Sequence, residues 1–375
     1  QRIVENAKER IENEKMAAIT ERESLYIINE FAKEHFMHNM HETNEGQNIG
    51  LSYFEERGFR ADIIQKFQLG YCLNAGDDFT KAALKKGYKK EYLESVGLTK
   101  TKEDRSFDFF RGRVMFPIHS ISGRVLGFGG RTLITDNKKV AKYFNSPESI
   151  IYNKSEILYG LYFAKGDIVK YNECLLCEGY TDVISMHQAG IQNVVSSSGT
   201  SLTKEQVKLV SRYTKNLTIL YDGDAAGIKA SFRGIDLILE EGLNVKVVLF
   251  PDGEDPDSFS KSRSSAELSA YIASHKQDFI SFKASILLAD GGNDPILRAG
   301  LIKDIVHSVS LIPDQITRSV YVQPLAQQFD ISESIVQSEL LNLRKSAMAK
   351  TYQDPAIGAI ELPKNPAPQS LEASS

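Results

Sequence analysis

The 375-residue sequence contains few cysteines and no long apolar segment. Its three cysteines are too few for a disulfide framework, so we expect a reducing, cytoplasmic environment. No apolar run approaches the roughly 20 residues that span a bilayer, and no signal peptide opens the chain, so we expect no membrane partner. The chain starts at Gln1, and we therefore expect a fragment of a longer protein.

The net charge of −4 hides an uneven distribution along the chain. Residues 105–165 carry ten Lys and Arg against four Asp and Glu, whereas residues 171–260 carry seven basic and thirteen acidic residues. A basic segment can hold phosphates and an acidic one can hold metal, which suits a metal-dependent enzyme that acts on a polyanion. Chance variation between surface patches is the alternative.

Residues 173–258 alternate short apolar runs with helical patterns. The runs ECLLCE, LTILYD and VKVVLF are continuous, which is typical of strands buried on both faces of a parallel sheet. Five carboxylates follow these runs: Glu178, Asp222, Asp224, Asp255 and Asp257. Because the carboxyl ends of parallel strands meet at one edge, we expect them to form one acidic crevice. Mutual repulsion and oxygen ligands predict that this crevice binds a hard divalent cation, Mg²⁺ or Mn²⁺.

A basic hairpin is predicted upstream of this acidic stretch. The residues from Arg111 to Ile118, the turn HSISG and the run from Arg124 to Phe128 have the pattern of two antiparallel strands. Period-two geometry predicts that Arg111 and Arg113 share one strand face. Farther along, Lys142 and Lys154 bracket a turn, where lysines either bind phosphate or simply lie in solvent.

Two small clusters have some features of zinc sites. Cys174 and Cys177 lie inside a predicted strand without a second cysteine pair, so we interpret them as buried structural thiols. His35, His38 and His41 recur at every third position, and we interpret them as part of a solvated helix end. We therefore expect no zinc in this chain.

The predicted fold is α/β, or α+β when the whole chain is considered, and it has five consecutive segments. They are a helical leader (1–20), a mixed α+β basic subdomain (21–168), a parallel-sheet α/β domain (169–260), a helical bundle (261–348) and a Pro-rich disordered tether (349–375). Within the bundle, the pattern predicts helices over 266–288, 295–311, 315–329 and 332–347.

Several motifs resemble those of one known family. The acidic motifs are Glu178-Gly-Tyr-x-Asp182, Tyr221-Asp-Gly-Asp-x-Ala-Gly227 and Gly253-Glu-Asp-Pro-Asp257. Their spacing is similar to that of the Toprim domain of bacterial replicative primases of the DnaG type. FRGRVMFPI, GRVLGFGGRTL, KYFNSPES and YFEERGF resemble the RNA-polymerase core of the same primases. Together the motifs extend over most of the chain.

The resemblance implies a role for each matching residue. The metal-binding carboxylates would be Glu178, Asp222, Asp224, Asp255 and Asp257. The first three of these would also be catalytic, and Asp182 would support the site. Template-binding residues would be Arg111, Arg113 and Arg131. Nucleotide-binding residues would be Lys142, Lys154 and Asn145.

The implied activity is the synthesis of short RNA primers on single-stranded DNA from ribonucleoside triphosphates, with two or more Mg²⁺ or Mn²⁺ ions. The resemblance also implies a replicative helicase as partner, through a C-terminal domain that we expect to lie outside this chain, and we expect a monomeric core at the replication fork. A Toprim topoisomerase or nuclease is the alternative, because these enzymes share the Glu and Asp-x-Asp motifs. A non-catalytic single-strand-binding module is a third possibility, but it has no use for five clustered carboxylates.

Overall fold

The structure is a computed structural model that describes residues 2–133, 141–199, 201–222, 225–289 and 294–353. It divides into two compact units, Gln1–Lys283 and Ala284–Ser375. Within the described ranges, no helix has both the length and the apolar character needed to cross a membrane.

The first unit begins with a long helix, α1 (Arg2–Glu42). Its side chains Leu25, Ile28, Ala32 and Phe36 recur at helical spacing and are buried along one face. A π-helical turn (Gly46–Leu51) and four short helices follow. These are α2 (Ser52–Glu56), α3 (Ala61–Lys66), α4 (Asp78–Lys85) and α5 (Lys90–Ser95).

A four-stranded antiparallel sheet packs against α1. In chain order the strands of this part are β1 (Gly70–Cys72), β2 (Thr99–Lys102), β3 (Arg105–Asp108), β4 (Arg113–His119), β5 (Val125–Thr132) and β6 (Tyr143–Asn145). The sheet order is β1-β4-β5-β6, while β2 and β3 form a separate hairpin. The predicted β4–β5 hairpin is therefore confirmed, with Arg113 opposite Thr132. Strand β1 was not predicted, because its three residues give no periodic pattern.

One detail of the predicted hairpin is wrong. Arg111 does not share a strand face with Arg113, since β4 begins only at Arg113. Arg111 lies in a turn with Gly112, whose φ of 65° is a left-handed value that glycine adopts without strain.

The second sheet of this unit is the predicted parallel one. Its elements are α6 (Leu161–Tyr171), β7 (Cys174–Cys177), α7 (Tyr180–Gln188), β8 (Val194–Ser196), α8 (Lys204–Ser211), β9 (Asn216–Tyr221), α9 (Ala225–Glu240) and β10 (Asn244–Leu249). Then come α10 (Pro256–Lys261), α11 (Ser265–His275), β11 (Gln277–Asp278) and α12 (Phe279–Ala289). The strand order is β11-β10-β9-β7-β8, and the four strands β10, β9, β7 and β8 are parallel.

The edge strand β11 divides what the sequence predicts as one helix over 266–288. Gln277 and Asp278 pair antiparallel with Val247 and Lys246 of β10. Asp278 then accepts hydrogen bonds from the backbone N–H groups of Ile280 and Ser281 at 3.0 Å each, which starts α12. The local apolar pattern continues through this break, so only the tertiary pairing reveals it.

The two sheets meet at a close packing contact between β5 and α7. A Cβ added at Gly129 of β5 would lie 2.5 Å from the Tyr180 ring. Tyr180 in turn stacks on Phe116 of β4, with ring centroids 5.1 Å apart. The glycine therefore allows the strand to approach this aromatic side chain.

The second unit contains three packed helices, α13 (Pro295–Leu311), α14 (Gln315–Phe329) and α15 (Glu333–Gln353). They confirm the predicted helical character of this region. Helix α15 continues to Gln353, past the start of the predicted tether at 349, and residues 354–375 lie outside the described part.

Candidate active site

The predicted carboxylates lie at one edge of the parallel sheet. Strands β7 and β9 pair through Leu176 and Ile219, and β9 and β10 pair through Tyr221 and Leu249. The carboxyl ends of these strands are therefore level. We use "acidic edge" for the five described carboxylates that follow them: Glu178, Asp182, Asp222, Asp255 and Asp257.

Glu178 and Asp182 are separated by the first turn of α7. Glu178 follows β7 directly and is exposed, while Asp182 is only 7% exposed. The Asp182 carboxylate accepts a hydrogen bond from the backbone N–H of Gly179 at 2.8 Å. It thereby caps the helix whose first turn follows Glu178.

The electrostatics of Asp182 show that acidic groups converge here. The pKa of Asp182 is raised to about 7, mainly by burial and also by the charges of Asp255, Asp222 and Asp257, while the hydrogen bond from the Gly179 N–H opposes the rise. Asp182 therefore lies within electrostatic reach of three of the predicted carboxylates.

Asp255 begins the short helix α10 after β10. Its side chain accepts a hydrogen bond from the Ser258 N–H at 2.7 Å, and the Ser258 hydroxyl accepts one from the Asp255 N–H at 3.0 Å. This reciprocal cap fixes the loop that ends β10. The Asp255 side chain remains partly exposed at the edge.

Asp257 differs from the other carboxylates because protein groups surround it. It is 3% exposed. One oxygen lies 2.8 Å from Lys261 Nζ and accepts a hydrogen bond from the Ser185 hydroxyl, and the other lies 3.3 Å from Arg57 Nη2. Two cations therefore already balance this carboxylate.

The chemistry of the edge suits a hard divalent cation, since its donors are carboxylate oxygens that repel one another. Glu178, Asp222 and Asp255 are at least partly accessible. Among the described residues, no three acidic, histidine or cysteine side chains are already grouped as a metal site. The predicted ligand Asp224 lies outside the described residues.

The template-binding arginines occupy different environments. Arg111 is exposed. Arg113 is 4% exposed, and its guanidinium donates to the carbonyl oxygens of Gly130, Ala141 and Lys142 at 3.1–3.3 Å. It also lies 3.9 Å from the centre of the Phe144 ring. Arg113 therefore anchors the strand edge, and a direct template contact through it stays a prediction.

Arg131 lies next to the acidic edge. Its guanidinium is 4.7 Å from the centre of the Tyr53 ring and 5.9 Å from that of Tyr143. Arg57 lies over the same Tyr53 ring at 5.5 Å. Burial raises the pKa of Tyr143. The charges of Arg131 and Arg57 oppose this rise, and the charge of Asp182 adds to it. Two arginines and the carboxylates thus share one neighbourhood.

The predicted nucleotide-binding residues are only partly brought together. Asn145 and Lys154 line one small cleft together with Ser197 and Ser198, which follow β8. The Asn145 side chain donates to the Ser198 carbonyl at 3.2 Å and accepts from the Tyr180 hydroxyl at 2.7 Å. The Lys142 side chain is exposed and does not line this cleft.

Sequence reasoning missed Arg57, Ser185 and Lys261 at this site. Arg57 belongs to the segment YFEERGF, whose resemblance to the family assigned no role to any single residue in it. Ser185 and Lys261 carry no motif signal. Lys261 reaches Asp257 from four residues later on the same helix, and the packing of α7 against α10 brings Ser185 to it.

The other candidate clusters have structural roles. Cys174 and Cys177 are buried free thiols in β7, as predicted, and burial raises the pKa of both thiols. The His35 side chain is only 14% exposed and contacts the Asp78 carboxylate at 2.7 Å through Nε2, so its interpretation as part of a solvated helix end is wrong. His38 and His41 are exposed, as that interpretation predicts.

Three family models match consecutive parts of the chain. Residues 35–165 match a model described as the N-terminal domain of the DNA primase catalytic core, and residues 175–260 match a Toprim-like model. Residues 282–334 match a model described as the DnaB-helicase binding domain of primase. The expectation that a helicase-binding region lies outside this chain is therefore wrong.

Known relatives and solved structures agree with these matches. A DNA primase of Halalkalibacterium halodurans is 36% identical over 84% of this chain and 53% of its own length. The chain thus spans about half the length of the curated relatives that it matches. A primase domain from Pseudomonas aeruginosa superposes with a TM-score of 0.74 at 29% identity, covering 84% of this chain and 99% of that one. A DnaG primase catalytic domain bound to single-stranded DNA superposes at 0.71 with 32% identity, covering 83% and 99%.

Proposed function

Because the chain belongs to the DnaG-type DNA primases, we propose that it joins ribonucleotides into short RNA primers on single-stranded DNA. The observation that carries this proposal is the convergence of carboxylates from three strand ends beside Arg57 and Arg131. Nucleotidyl transfer needs positioned charge rather than a protein nucleophile, and the site supplies acids and cations side by side.

The acidic edge is the proposed metal site. Glu178, Asp222 and Asp255 are the accessible carboxylates, and Asp224 completes the set by resemblance to the family motif. Mg²⁺ or Mn²⁺ bound there would activate the attacking 3′-hydroxyl and stabilise the departing pyrophosphate. Asp182 supports the site by holding the first turn of α7, which follows Glu178.

We use "basic side" for the arginines and lysines of the antiparallel-sheet part of the site, and we propose that template and nucleotide bind along it. Arg111 and Arg131 are the proposed template contacts, because Arg111 is exposed and Arg131 is partly exposed. Arg113 supports them by fixing the ends of β5 and β6. Lys154 and Asn145, which line a shared cleft, are the proposed triphosphate contacts. Lys142 is exposed and is proposed as a further contact by resemblance to the family.

The helical segment at 282–334 is the proposed docking region for a replicative helicase, on the strength of its family match. With this partner and a single-stranded template, the proposed site of action is the replication fork in the cytoplasm. Likeness to a DnaG catalytic domain that was solved with single-stranded DNA bound supports the choice of template.

A topoisomerase would need a tyrosine that attacks DNA. The tyrosines beside the acidic edge are poor candidates, since burial raises the pKa of Tyr53 to about 12 and raises the pKa of Tyr143 and of Tyr180 as well. Tyr180 is 3% exposed and donates to Asn145. Their environment therefore argues against a topoisomerase that cleaves DNA through one of these tyrosines.

The test is a direct product assay. The chain is incubated with single-stranded DNA, ribonucleoside triphosphates and Mn²⁺ or Mg²⁺, and short RNA is resolved on a gel. We expect template-dependent RNA from the wild type and from Asp252→Asn, which changes an exposed acid outside the acidic edge. We expect at least about a hundred-fold less from Asp222→Asn, because a lost metal-binding charge removes transition-state stabilisation. Equal RNA from Asp222→Asn, or DNA cleavage in place of RNA, would contradict the proposal.

A further inference from the structure

We propose that Asp257 is not a metal ligand but a positioning residue, held by Arg57, Lys261 and Ser185 so that α7 and α10 present Asp182 and Asp255 at the metal site. This inference rests on the proposed function, because the acids that Asp257 positions belong to the proposed metal site. It departs from the sequence motif, in which Asp255 and Asp257 form an equivalent pair.

The geometry distinguishes the two carboxylates of the motif. Asp255 is the N-cap of α10 and remains partly exposed. Asp257 lies in the first turn of the helix, with a side chain only 4% exposed. Both of its oxygens already contact protein groups, Lys261 and Ser185 on one and Arg57 on the other.

Electrostatics favours keeping these partners. A buried carboxylate is costly unless it is paired, and here two cations and a hydroxyl satisfy it. A metal ion at Asp257 would have to displace Lys261 or Arg57 and bring its own positive charge against the cation that remains. Asp255 presents a smaller obstacle, because its carboxylate is partly exposed and accepts its hydrogen bond from a neutral backbone N–H.

Asp257 connects three elements that build the site. Lys261 is on its own helix, four residues later. Ser185 is on α7, one turn after Asp182. Arg57 follows α2 and lies over the Tyr53 ring, next to Arg131. The carboxylate therefore fixes α10 against α7, and both helices against the arginines of the basic side.

A ligand and a positioning residue respond differently to removal of the charge. If Asp257 were a ligand, Asp257→Asn would relieve repulsion between acids and would remove a bound ion. As a positioning residue, Asp257→Asn leaves Arg57 and Lys261 without their carboxylate. We expect the metal-free melting temperature to fall by roughly 5 °C, as for other broken buried ion pairs.

The test measures Mn²⁺ binding by electron paramagnetic resonance and melting temperature on the same purified chains. Asp257→Asn should bind as many Mn²⁺ ions as the wild type, with affinity weakened roughly ten-fold, the effect of losing a group that orients ligands. Asp255→Asn should lose an ion or most of the affinity without a comparable fall in metal-free melting temperature.

Arg57 supplies an independent check. Arg57→Gln should reproduce the effects of Asp257→Asn on Mn²⁺ affinity and on melting temperature, and Arg57→Lys should restore part of both, because it keeps the charge. The double variant Arg57→Gln with Asp257→Asn should be less destabilised than the sum of the single variants.

Asp108→Asn is the matched control for burial alone. Asp108 is only 1% exposed, and its carboxylate accepts hydrogen bonds from the Phe79 and Thr80 N–H groups at the start of α4. None of these residues belongs to the acidic edge. Asp108→Asn should lower the melting temperature with no change in Mn²⁺ affinity.

Two results for Asp257→Asn would overturn the proposal. Loss of an Mn²⁺ ion would make Asp257 a ligand, and unchanged Mn²⁺ affinity would make it a purely structural residue. Either result leaves the proposed function intact, because that function is tested by RNA synthesis in the wild type and in Asp222→Asn, and not by Mn²⁺ binding to Asp257→Asn.

Discussion

Asp182 is a buried carboxyl whose charge state depends on its neighbours. The charges of three carboxylates raise its pKa, and the hydrogen bond from the Gly179 N–H favours its ionised form. Bound cations would favour the ionised form as well. The residue therefore reports on the charge of the whole acidic edge.

We predict a pH dependence of stability from Asp182. Its pKa is about 7 in the folded chain and 3.8 without the fold. The folded state therefore binds the proton more tightly, so the stabilisation is complete below about pH 4, declines as the pH rises, and is lost above about pH 7. Melting temperatures of the wild type minus those of Asp182→Asn, without metal, should fall across that window.

Saturating Mn²⁺ should move this window to lower pH, because nearby cations lower the pKa of a carboxyl group. A difference between wild type and Asp182→Asn that stays constant from pH 4 to pH 7 would show that Asp182 ionises normally.

The two neighbouring arginines Arg111 and Arg113 should behave differently when each is replaced by alanine. Arg113→Ala removes a buried side chain that donates hydrogen bonds to three carbonyl groups, so the free energy of unfolding should fall by about 3 kcal/mol. Arg111→Ala should change the free energy of unfolding by less than about 0.5 kcal/mol.

The effect of Arg111→Ala should appear in single-stranded DNA binding, where the slope of log affinity against log salt flattens by about 0.7 per lost phosphate contact. Denaturant melts and salt titrations check both outcomes. An unchanged salt slope in Arg111→Ala would place the template elsewhere.

At the scale of elements, the contact of β5 with α7 is the one most sensitive to added volume. Gly129→Ala would put a methyl group 2.5 Å from the buried Tyr180 ring, so we expect a loss of about 1–3 kcal/mol in the free energy of unfolding. Gly166→Ala is the control, since no atom lies within 4 Å of its added Cβ and it sits inside α6. That change should stabilise the chain by about 0.5–1 kcal/mol. Equal effects of the two changes in urea melts would mean that the sheet and helix do not pack as described.

The sequence predicts elements well where one pattern of apolar residues, continuous or periodic, extends over a whole element. The parallel strands, the β4–β5 hairpin and the helices from α13 to α15 all have that property. Strands β1 and β11 have only three and two residues, and their pairing partners alone define them. The burial of Arg113 was equally hidden, because alternation tells which residues share a face but not what covers that face.

At the acidic edge, too, the positions of some residues can be predicted from the sequence and the contacts of others cannot. A parallel sheet brings its strand ends together, so the positions of Glu178, Asp222 and Asp255 follow from sequence and general topology. The pairing of Asp257 does not, since Arg57 and Ser185 come from distant segments. Residue spacing within a motif treats Asp255 and Asp257 alike, and packing separates them.

For the whole molecule, we predict that divalent cations stabilise the fold. A cation that binds only the folded chain at ten times its dissociation constant contributes about 1.4 kcal/mol. For a unit of this size the melting temperature should rise by roughly 3–6 °C. Mn²⁺ should act at lower concentration than Mg²⁺, because it tolerates looser geometry. Thermal melts of wild type and Asp222→Asn check this, and an equal rise in both would exclude Asp222 from the site.

The most direct test of the acidic edge as a metal site is anomalous diffraction from a crystal of this chain soaked in Mn²⁺. We predict anomalous peaks about 2.0–2.3 Å from carboxylate oxygens of Glu178, Asp222 or Asp255. We expect no peak within that distance of Asp257, which should still contact Arg57 and Lys261. Peaks at Asp257, or none at the acidic edge from a crystal that diffracts well at saturating Mn²⁺, would contradict this assignment of the carboxylates.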